Sequence, residues 1–291
     1  MIAGIDLGGT QARVAVARSD GRIVAVRKVH TPDLKGPQGL VDWAAQTIDG
    51  LRGTQRVTSI AVGSPGPIDL KRGVLVNPPN LHGWRSVPLE KMLGAATRAS
   101  VHLANDADLA AVGEFHHGAG RGTQNMVYIT WSTGVGSGLI IDGKLYRGSH
   151  GTAGELGHTI IDPDGPLDTC GQRGCLERFA AGHSIATDTG RAASEVFAAA
   201  ARGEAESQMV VSKAAVYMGI GLINVTNLID PEVIVIGGGI VQSWTLVQGV
   251  LREMLASSPF IKPARRPKVR RARLGDRAGL VGAVEWARQN R

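Results

Sequence analysis

The stretch from Gly151 to Glu177 constrains this chain most, because it gathers both cysteines, a histidine framed by glycines and two glutamates. Thiolate and imidazole groups are the usual protein ligands of Zn²⁺. The glycines between the two cysteines permit a tight turn that brings both sulfur atoms toward one ion. The stretch therefore predicts a zinc site with the ligands His158, Cys170, Cys175 and Asp168. Two reduced cysteines in a glycine-rich turn, or a facultative disulfide, are the alternative interpretations.

Glu155 and Glu177 do not follow the metal spacing and need a separate interpretation. Carboxylates accept hydrogen bonds from hydroxyl groups, which is how a polyol substrate is held. We therefore interpret both glutamates as candidate sugar ligands. The alternative is a pair of solvated surface side chains.

Length and cysteine content limit the class of protein. A chain of 291 residues has room for two units that each bury a core. Its two cysteines, five positions apart, exclude a disulfide framework and agree with a reducing compartment. Because no long uncharged apolar run or signal-type segment is present, we expect a cytoplasmic protein without membrane contact.

The net charge of +7 comes partly from a basic stretch, Lys262 to Arg273. Such a stretch can attract nucleic acid or another polyanion. Its two prolines are more typical of an exposed strand that is protected from edge pairing. We therefore predict an edge strand here and no nucleic-acid partner.

Two glycine-rich loops follow strand-like runs, at Asp6 to Thr10 and at Ser132 to Gly138. Each loop leads into a second strand, a tight turn and a third strand, so each joins antiparallel strands and does not open a helix. This layout argues against a dinucleotide-binding turn, and no P-loop lysine follows the glycines. Backbone N–H groups and threonine hydroxyls in such loops predict a site for nucleotide phosphates, with Asp6 orienting Mg²⁺ through water.

Periodicity predicts the remaining regular elements. Helices are expected at 39–51, 107–115, 192–203, 210–228 and 278–289, and strands at 57–62, 101–104 and 233–236.

Asp106 lies where a predicted strand gives way to a predicted helix. It has a structural interpretation, because Asp commonly caps helices. It also has a chemical one, because a carboxylate at the mouth of a cleft can take a proton from a hydroxyl nucleophile. A helix N-terminus lowers the pKa of a carboxyl, so we expect a weak base.

The sequence resembles the ROK family of sugar kinases along nearly its whole length. Nine short motifs occur in the family's order: Asp6–Thr10, Gly63–Asp69, Asn77–Trp84, Asn105–Ala107, Thr133–Gly138, Gly154–His158, Cys170–Glu177, Val235–Gly239 and Leu274–Ala283.

This resemblance implies an α/β, two-lobed actin-like or hexokinase-like (ribonuclease H-like) fold with nucleotide and sugar in the interlobe cleft. Residues 1–106 would form the smaller lobe, with a helix at about 276–291 packing back on it. Residues 107–275 would form the larger lobe. The family also implies a homo-oligomer, either a dimer or a tetramer.

The resemblance also implies residue roles. Asp106 would be the catalytic base. The phosphates and Mg²⁺ would contact Asp6, Gly8, Gly9, Thr10, Thr133, Gly134 and Gly136, and adenosine would lie near Gly237, Gly238 and Gly239. The sugar would be held by Asn105, Asp106, Glu155, His158 and Glu177, with Gly66 and Asn80 as weaker candidates.

The implied reaction is ATP-dependent phosphorylation of a hexose hydroxyl, first of all glucose to glucose 6-phosphate in glycolysis. Kinases for N-acetylmannosamine, N-acetylglucosamine or fructose, and a non-catalytic sugar sensor, are the alternatives.

ROK repressors carry a helix-turn-helix segment before the first glycine loop, and none is expected where that loop starts at residue 6. One departure concerns zinc, since the family usually has Cys where this chain has Asp168.

Overall fold

The computed structural model describes all 291 residues and divides the chain into two units. The first unit contains Met1–Gly118, Arg147–Thr152 and Asp276–Arg291, and the second contains Ala119–Tyr146 and Ala153–Gly275. The first unit thus extends past residue 106, where the family resemblance predicted the boundary between the lobes. The reason is that the helix following Asn105 packs along the helix near the C-terminus, and both lie in the first unit.

The first unit is built on a mixed five-stranded sheet with the order β3-β2-β1-β4-β7. Strand β1 pairs antiparallel with β2 and parallel with β4, and β4 pairs parallel with β7. Its elements in the segment Met1–Gly118 are β1 (Ile2–Leu7), β2 (Gln11–Ala17), β3 (Ile23–His30), α1 (Pro37–Arg52), β4 (Ser59–Ser64), the small hairpin β5 (Ile68–Asp69) and β6 (Val74–Leu75), α2 (Leu89–Thr97), β7 (Ser100–Asn105) and α3 (Asp106–His117).

The second unit has a five-stranded sheet with the corresponding order β10-β9-β8-β11-β12. Its elements are β8 (Met126–Trp131), β9 (Val135–Ile141), β10 (Lys144–Tyr146), α4 (Leu176–Ala180), α5 (Gly182–Thr189), α6 (Ala193–Ala201), α7 (Ala205–Ile229), β11 (Val233–Gly237), α8 (Trp244–Ser257) and β12 (Lys268–Arg271). Helix α9 (Ala278–Gln289) then belongs to the first unit.

The repeated layout of strand, glycine loop, strand, turn and strand is confirmed in both sheets. The second loop is shorter than predicted, however. Strand β9 begins at Val135, so Gly136 and Gly138 lie within the strand and only Ser132 to Gly134 form the loop. The reason is that Val135 to Gly138 pair directly with β8.

Other elements are close to the sequence expectations, apart from four helices. The predicted helix at 278–289 has the bounds of α9, and the basic stretch forms β12 at the edge of the second sheet, as predicted. Helices α2, α4, α5 and α8 were not predicted. Helix α8 nevertheless buries Val247, Leu251 and Leu255, which recur at the four-residue spacing of a helical face.

Each unit has its own hydrophobic core. Helix α7 is long and apolar enough to cross a membrane by length and composition alone. Half of that apolar window is buried, and its face with Val211, Ala215 and Met218 forms part of the core of the second unit. We therefore assign α7 as a core helix.

Helix α3, which begins at Asp106, packs closely on α9. A Cβ added at Gly282 would lie 1.6 Å from the Leu109 carbonyl oxygen, and one at Gly113 would lie 2.4 Å from that of Ala278. Real Cβ atoms do not approach backbone oxygens so closely. Glycine at both positions therefore allows the two helix backbones to come together, which holds α3 against the first sheet.

Candidate functional site

Asp106 occupies the junction predicted for it, between the end of β7 and the start of α3. The Ala107 N–H donates to Oδ1 of Asp106 and to Oδ1 of the N-cap residue Asn105, at 2.8 Å in each case. Burial raises the pKa of the Asp106 carboxyl, and the hydrogen bond from Ala107 lowers it only in part. The expectation of a lowered pKa was therefore wrong, because loss of water outweighs the helix N-terminus. The carboxylate is a stronger base than an ordinary Asp.

Asp6 is the second-last residue of β1, which belongs to the same sheet as β7. Burial raises its pKa to about 6; Arg13, whose Nη1 lies 4.0 Å away, opposes the rise, and the negative charges of Asp106 and Asp276 add to it. Because burial makes the charged form of this carboxyl unfavourable, a cation bound beside it would stabilise the carboxylate. This environment fits the Mg²⁺ role predicted for Asp6.

Replacement of Asp6 by Asn should stabilise the metal-free protein while removing Mg²⁺-dependent activity. Because the folded pKa of about 6 lies above the unfolded value, wild-type stability falls as pH rises through the range from about 4 to about 6. Above that range we expect Asp6→Asn to have a free energy of unfolding higher by up to about 3 kcal/mol. Urea denaturation in chelator at several pH values measures this. Equal curves at neutral pH would contradict it.

The first glycine loop is held by a residue that the sequence analysis missed. The Thr31 hydroxyl donates to the Gly8 carbonyl at 2.7 Å, and the Thr31 N–H donates to the Thr10 carbonyl at 2.9 Å. Thr31 follows β3, far from the loop in sequence, so no local pattern indicates it. Its two hydrogen bonds therefore hold the backbone at Gly8 and Thr10.

Asn80 and Gly66 lie close to the other candidates of the first unit. A Cβ at Gly9 would lie 2.4 Å from the Asn80 carbonyl oxygen, so the Asn80 backbone packs directly on the first glycine loop. A Cβ at Gly66 would lie 3.6 Å from Nδ2 of Asn105. The first unit therefore contains Asp6, the glycine loop, Gly66, Asn80, Asn105 and Asp106.

The second unit contains a cavity of about 700 Å³ that includes predicted nucleotide-binding positions. Thr133 and Gly239 line it, and Gly237 and Gly238 lead to it from the end of β11. Several lining residues were not identified from the sequence, including His183, Ser194, Phe197, Gln242 and Ser243. They come from α5, α6 and the turn after β11, whose relative positions depend on the tertiary fold.

Glu177 contacts the second glycine loop. Its Oε2 accepts a hydrogen bond from the Val135 N–H at 2.6 Å, and a Cβ at Gly134 would lie 2.7 Å from the same oxygen. Gly134 is thus required for the carboxylate to approach the loop. Glu155, by contrast, lies exposed at the start of the short 3-10 turn Leu156–His158.

The four predicted zinc ligands come together in the second unit. One ligand atom from each of His158, Asp168, Cys170 and Cys175 lies within 4.8 Å of all the others, and the two sulfur atoms, both free thiols, are 3.5 Å apart. His158 Nδ1 lies 3.8 Å from Asp168 Oδ2. A turn closed by the Asp168 N–H donating to the Gln172 carbonyl at 2.8 Å brings the carboxylate to the thiols.

The chemistry of this cluster fits a zinc ion. His158 Nδ1 and both oxygens of Asp168 are buried without a hydrogen-bond partner. Buried polar groups without partners are costly, and a cation bound among them would satisfy His158 Nδ1 and one oxygen of Asp168. Two sulfur donors, one nitrogen and one oxygen form a set that Zn²⁺ accepts in tetrahedral geometry.

Comparison with known proteins gives the family. The profile of the ROK family matches residues 2–290. The chain belongs to the ROK family. A glucokinase of Streptomyces coelicolor is 32% identical over 98% of this chain and 97% of its own. An N-acetylmannosamine kinase of Yersinia pestis is 34% identical, again over 98% and 97%.

A solved structure confirms the fold class. The ROK family glucokinase from Streptomyces griseus, in complex with glucose and AMPPNP, matches this chain with a TM-score of 0.81 and 32% identity over 99% of both chains. The actin-like, hexokinase-like α/β fold expected from the motifs is therefore that of this ROK chain.

Proposed function

We propose that this ROK protein catalyses ATP-dependent phosphorylation of a hexose hydroxyl, with glucose as the first candidate and glucose 6-phosphate as product. The observation that supports this most is the near-complete alignment with a glucokinase over both chain lengths. The chain is thus an ATP-dependent sugar kinase, and the identity of its sugar is the finer part of the proposal.

In this mechanism Asp106 accepts the proton of the sugar hydroxyl as its oxygen attacks the γ-phosphate in line. The raised pKa of the carboxyl makes it a better proton acceptor than an ordinary Asp. Asp6 would orient the Mg²⁺ that ATP carries through water, and the N–H groups of the first glycine loop would donate to phosphate oxygens. These donors offset charge that develops during transfer.

The cavity of the second unit supports a nucleotide-binding role. Its size suits an adenosine, and Thr133 and Gly239 lie among its lining residues. Gly134 and Gly136 follow Thr133 in the loop and in β9. We assign the phosphate end of the nucleotide to Thr133 and the base end to the side of Gly239.

Glu155, His158 and Glu177 are the proposed sugar ligands of the second unit, and Gly66, Asn80 and Asn105 those of the first. Zinc, held by His158, Cys170, Cys175 and Asp168, would fix the orientation of the His158 ring through Nδ1. The other ring nitrogen is then free to contact a sugar hydroxyl.

The sugar is tested by initial rates of ADP release from Mg-ATP with glucose, mannose, fructose, N-acetylglucosamine and N-acetylmannosamine. We expect kcat/KM to be highest for glucose. An acetamide group needs its own contacts, so an acceptor with such a group is expected to differ by at least tenfold. Highest turnover with N-acetylmannosamine would replace the glucose assignment.

A second candidate function is phosphorylation of N-acetylmannosamine. It is favoured by the relative from Yersinia pestis, whose identity to this chain is similar to that of the glucokinase. The sugar panel separates the two. Saturable sugar binding without ADP release for any sugar would instead favour a sensor. A cytoplasmic location and a homo-oligomeric state complete the proposal.

A further inference from the structure

The side chain of Thr31 contacts the first glycine loop from a turn that the rest of the first unit holds in place. Thr31 is the first residue of the short 3-10 turn Thr31–Leu34, and both end residues of this turn are buried. The turn directly follows the last residue pair of β2 and β3, Gln11 with His30. A Cβ at Gly39 of α1 would lie 1.7 Å from the Leu34 carbonyl oxygen, so α1 packs directly on the turn. Thr31 therefore has a fixed position beside the loop.

The first glycine loop has N–H groups that no part of the protein uses. The Gly8 N–H donates to the Gln11 carbonyl at 3.0 Å and closes the turn. The N–H groups of Gly9 and Thr10 donate to no group of the chain. Backbone N–H groups are strong donors, and free ones in succession in a turn form a site for an anion. The orientation of the Gly9 N–H therefore decides whether the loop presents a donor or an acceptor to a phosphate.

Thr31 sets this orientation through the peptide unit between Gly8 and Gly9. That peptide bond is trans, so the Gly8 carbonyl and the Gly9 N–H point in opposite directions. The Thr31 hydroxyl donates to the Gly8 carbonyl at 2.7 Å, which directs the Gly9 N–H away from Thr31. The Thr31 N–H donates to the Thr10 carbonyl at 2.9 Å. The peptide between Gly9 and Thr10 thus lies between two peptide units that Thr31 holds.

The two adjacent glycines, Gly8 and Gly9, make this control necessary. Without a Cβ, glycine adopts a wide range of φ and ψ. The peptide between them can therefore rotate at little steric cost once its carbonyl loses its partner. A rotated peptide would present the Gly8 carbonyl on the side where the Gly9 N–H now lies, and a carbonyl repels phosphate oxygens. A donor that is already oriented binds more tightly, because less conformational entropy is lost on binding.

We propose that Thr31 is a positioning residue whose hydroxyl orients the Gly9 N–H as a donor to the phosphates of the nucleotide. Thr31 does not touch the nucleotide in this arrangement and acts through the Gly8 carbonyl. The inference deepens the proposed function and rests on it, because it requires that the first glycine loop bind ATP.

Thr31→Val tests the proposal, because valine has nearly the shape of threonine and keeps the backbone N–H but lacks the hydroxyl. We expect the Kd of Mg-AMPPNP, measured by calorimetry, to rise about tenfold, which is the effect of losing one hydrogen bond to a charged group. The Ki of adenosine against ATP should stay near the wild-type value, because adenosine carries no phosphate. Thr31→Ser keeps the hydroxyl and should bind Mg-AMPPNP as the wild type does.

Thr226→Val is the matched control. Thr226 of α7 is also buried, and its hydroxyl also donates to a backbone carbonyl, that of Leu222, at 2.6 Å. This variant loses the same kind of hydrogen bond far from the loop in sequence, so we expect wild-type affinity for Mg-AMPPNP.

A second measurement needs no variant. Amide hydrogen exchange of the wild-type protein is followed by NMR with Mg-AMPPNP bound and with adenosine bound. We expect the Gly9 N–H to exchange more slowly in the Mg-AMPPNP complex, because only that ligand has phosphate oxygens to accept it.

The outcomes separate this inference from the proposed function. A wild-type protein that phosphorylates a sugar, together with a Thr31→Val variant that binds Mg-AMPPNP normally, would overturn the positioning role and leave the proposed function standing. An equal loss of adenosine affinity in Thr31→Val, or equal exchange of the Gly9 N–H in the two complexes, would overturn it too. Wild-type protein that does not bind AMPPNP at all would overturn the proposed function and the positioning role together.

Discussion

Asp106→Asn should lower kcat by about a hundredfold to ten-thousandfold, with little change in the binding of the sugar. The amide keeps the oxygen that accepts the Ala107 N–H, so the start of α3 keeps its hydrogen bond. It cannot take the proton of the attacking hydroxyl. Steady-state rates and sugar binding by calorimetry measure the two effects separately.

The same variant should be more stable than the ligand-free wild type at neutral pH. Burial raises the pKa of Asp106, so its ionised form destabilises the native state, and this cost disappears as pH falls below the unfolded value. A loss of turnover together with a gain in stability distinguishes a lost base from a damaged fold. Asp42→Asn, at an exposed position of α1, is the control and should change neither property. Near-normal turnover in Asp106→Asn would remove this residue from the role.

Cys170→Ser should reduce bound zinc from about one equivalent to well below it and raise the KM of the sugar by about tenfold or more. Cys170 is exposed, so its substitution has little effect on packing, while the alkoxide or hydroxyl of serine is a poor replacement for a thiolate. Without the ion, His158 loses the partner that orients its ring. Elemental analysis of protein purified without chelator, and sugar kinetics on the same samples, measure these effects.

The control for this variant lies in the same turn. Gln172 is exposed between the two cysteines, and Gln172→Ala should keep both zinc and sugar affinity. Wild-type protein with far less than one equivalent of zinc would contradict the metal site itself. Normal sugar kinetics in a zinc-free Cys170→Ser protein would show that the ion does not orient a sugar ligand.

Local patterns in the sequence were sufficient for many elements because their causes are local. The bounds of α9 and the antiparallel layout around both glycine loops depend on residue periodicity and on turn residues such as Asp142 and Gly143, both of which adopt positive φ. The order of nine motifs was sufficient to indicate the family. The candidate zinc ligands could be proposed because three of the four lie within eight consecutive residues.

Other properties depended on contacts between distant parts of the chain. The direction of the Asp106 pKa shift was predicted wrongly, because a helix N-terminus is visible in sequence and burial by the surrounding fold is not. Thr31 and His183 were missed because the loops they hold lie far from them in sequence. The sequence alone therefore determined the family, the secondary structure around the loops and the types of chemical group available. Only the tertiary structure decided which groups lose water and which side chains meet, because desolvation and side-chain contact arise when distant segments pack together.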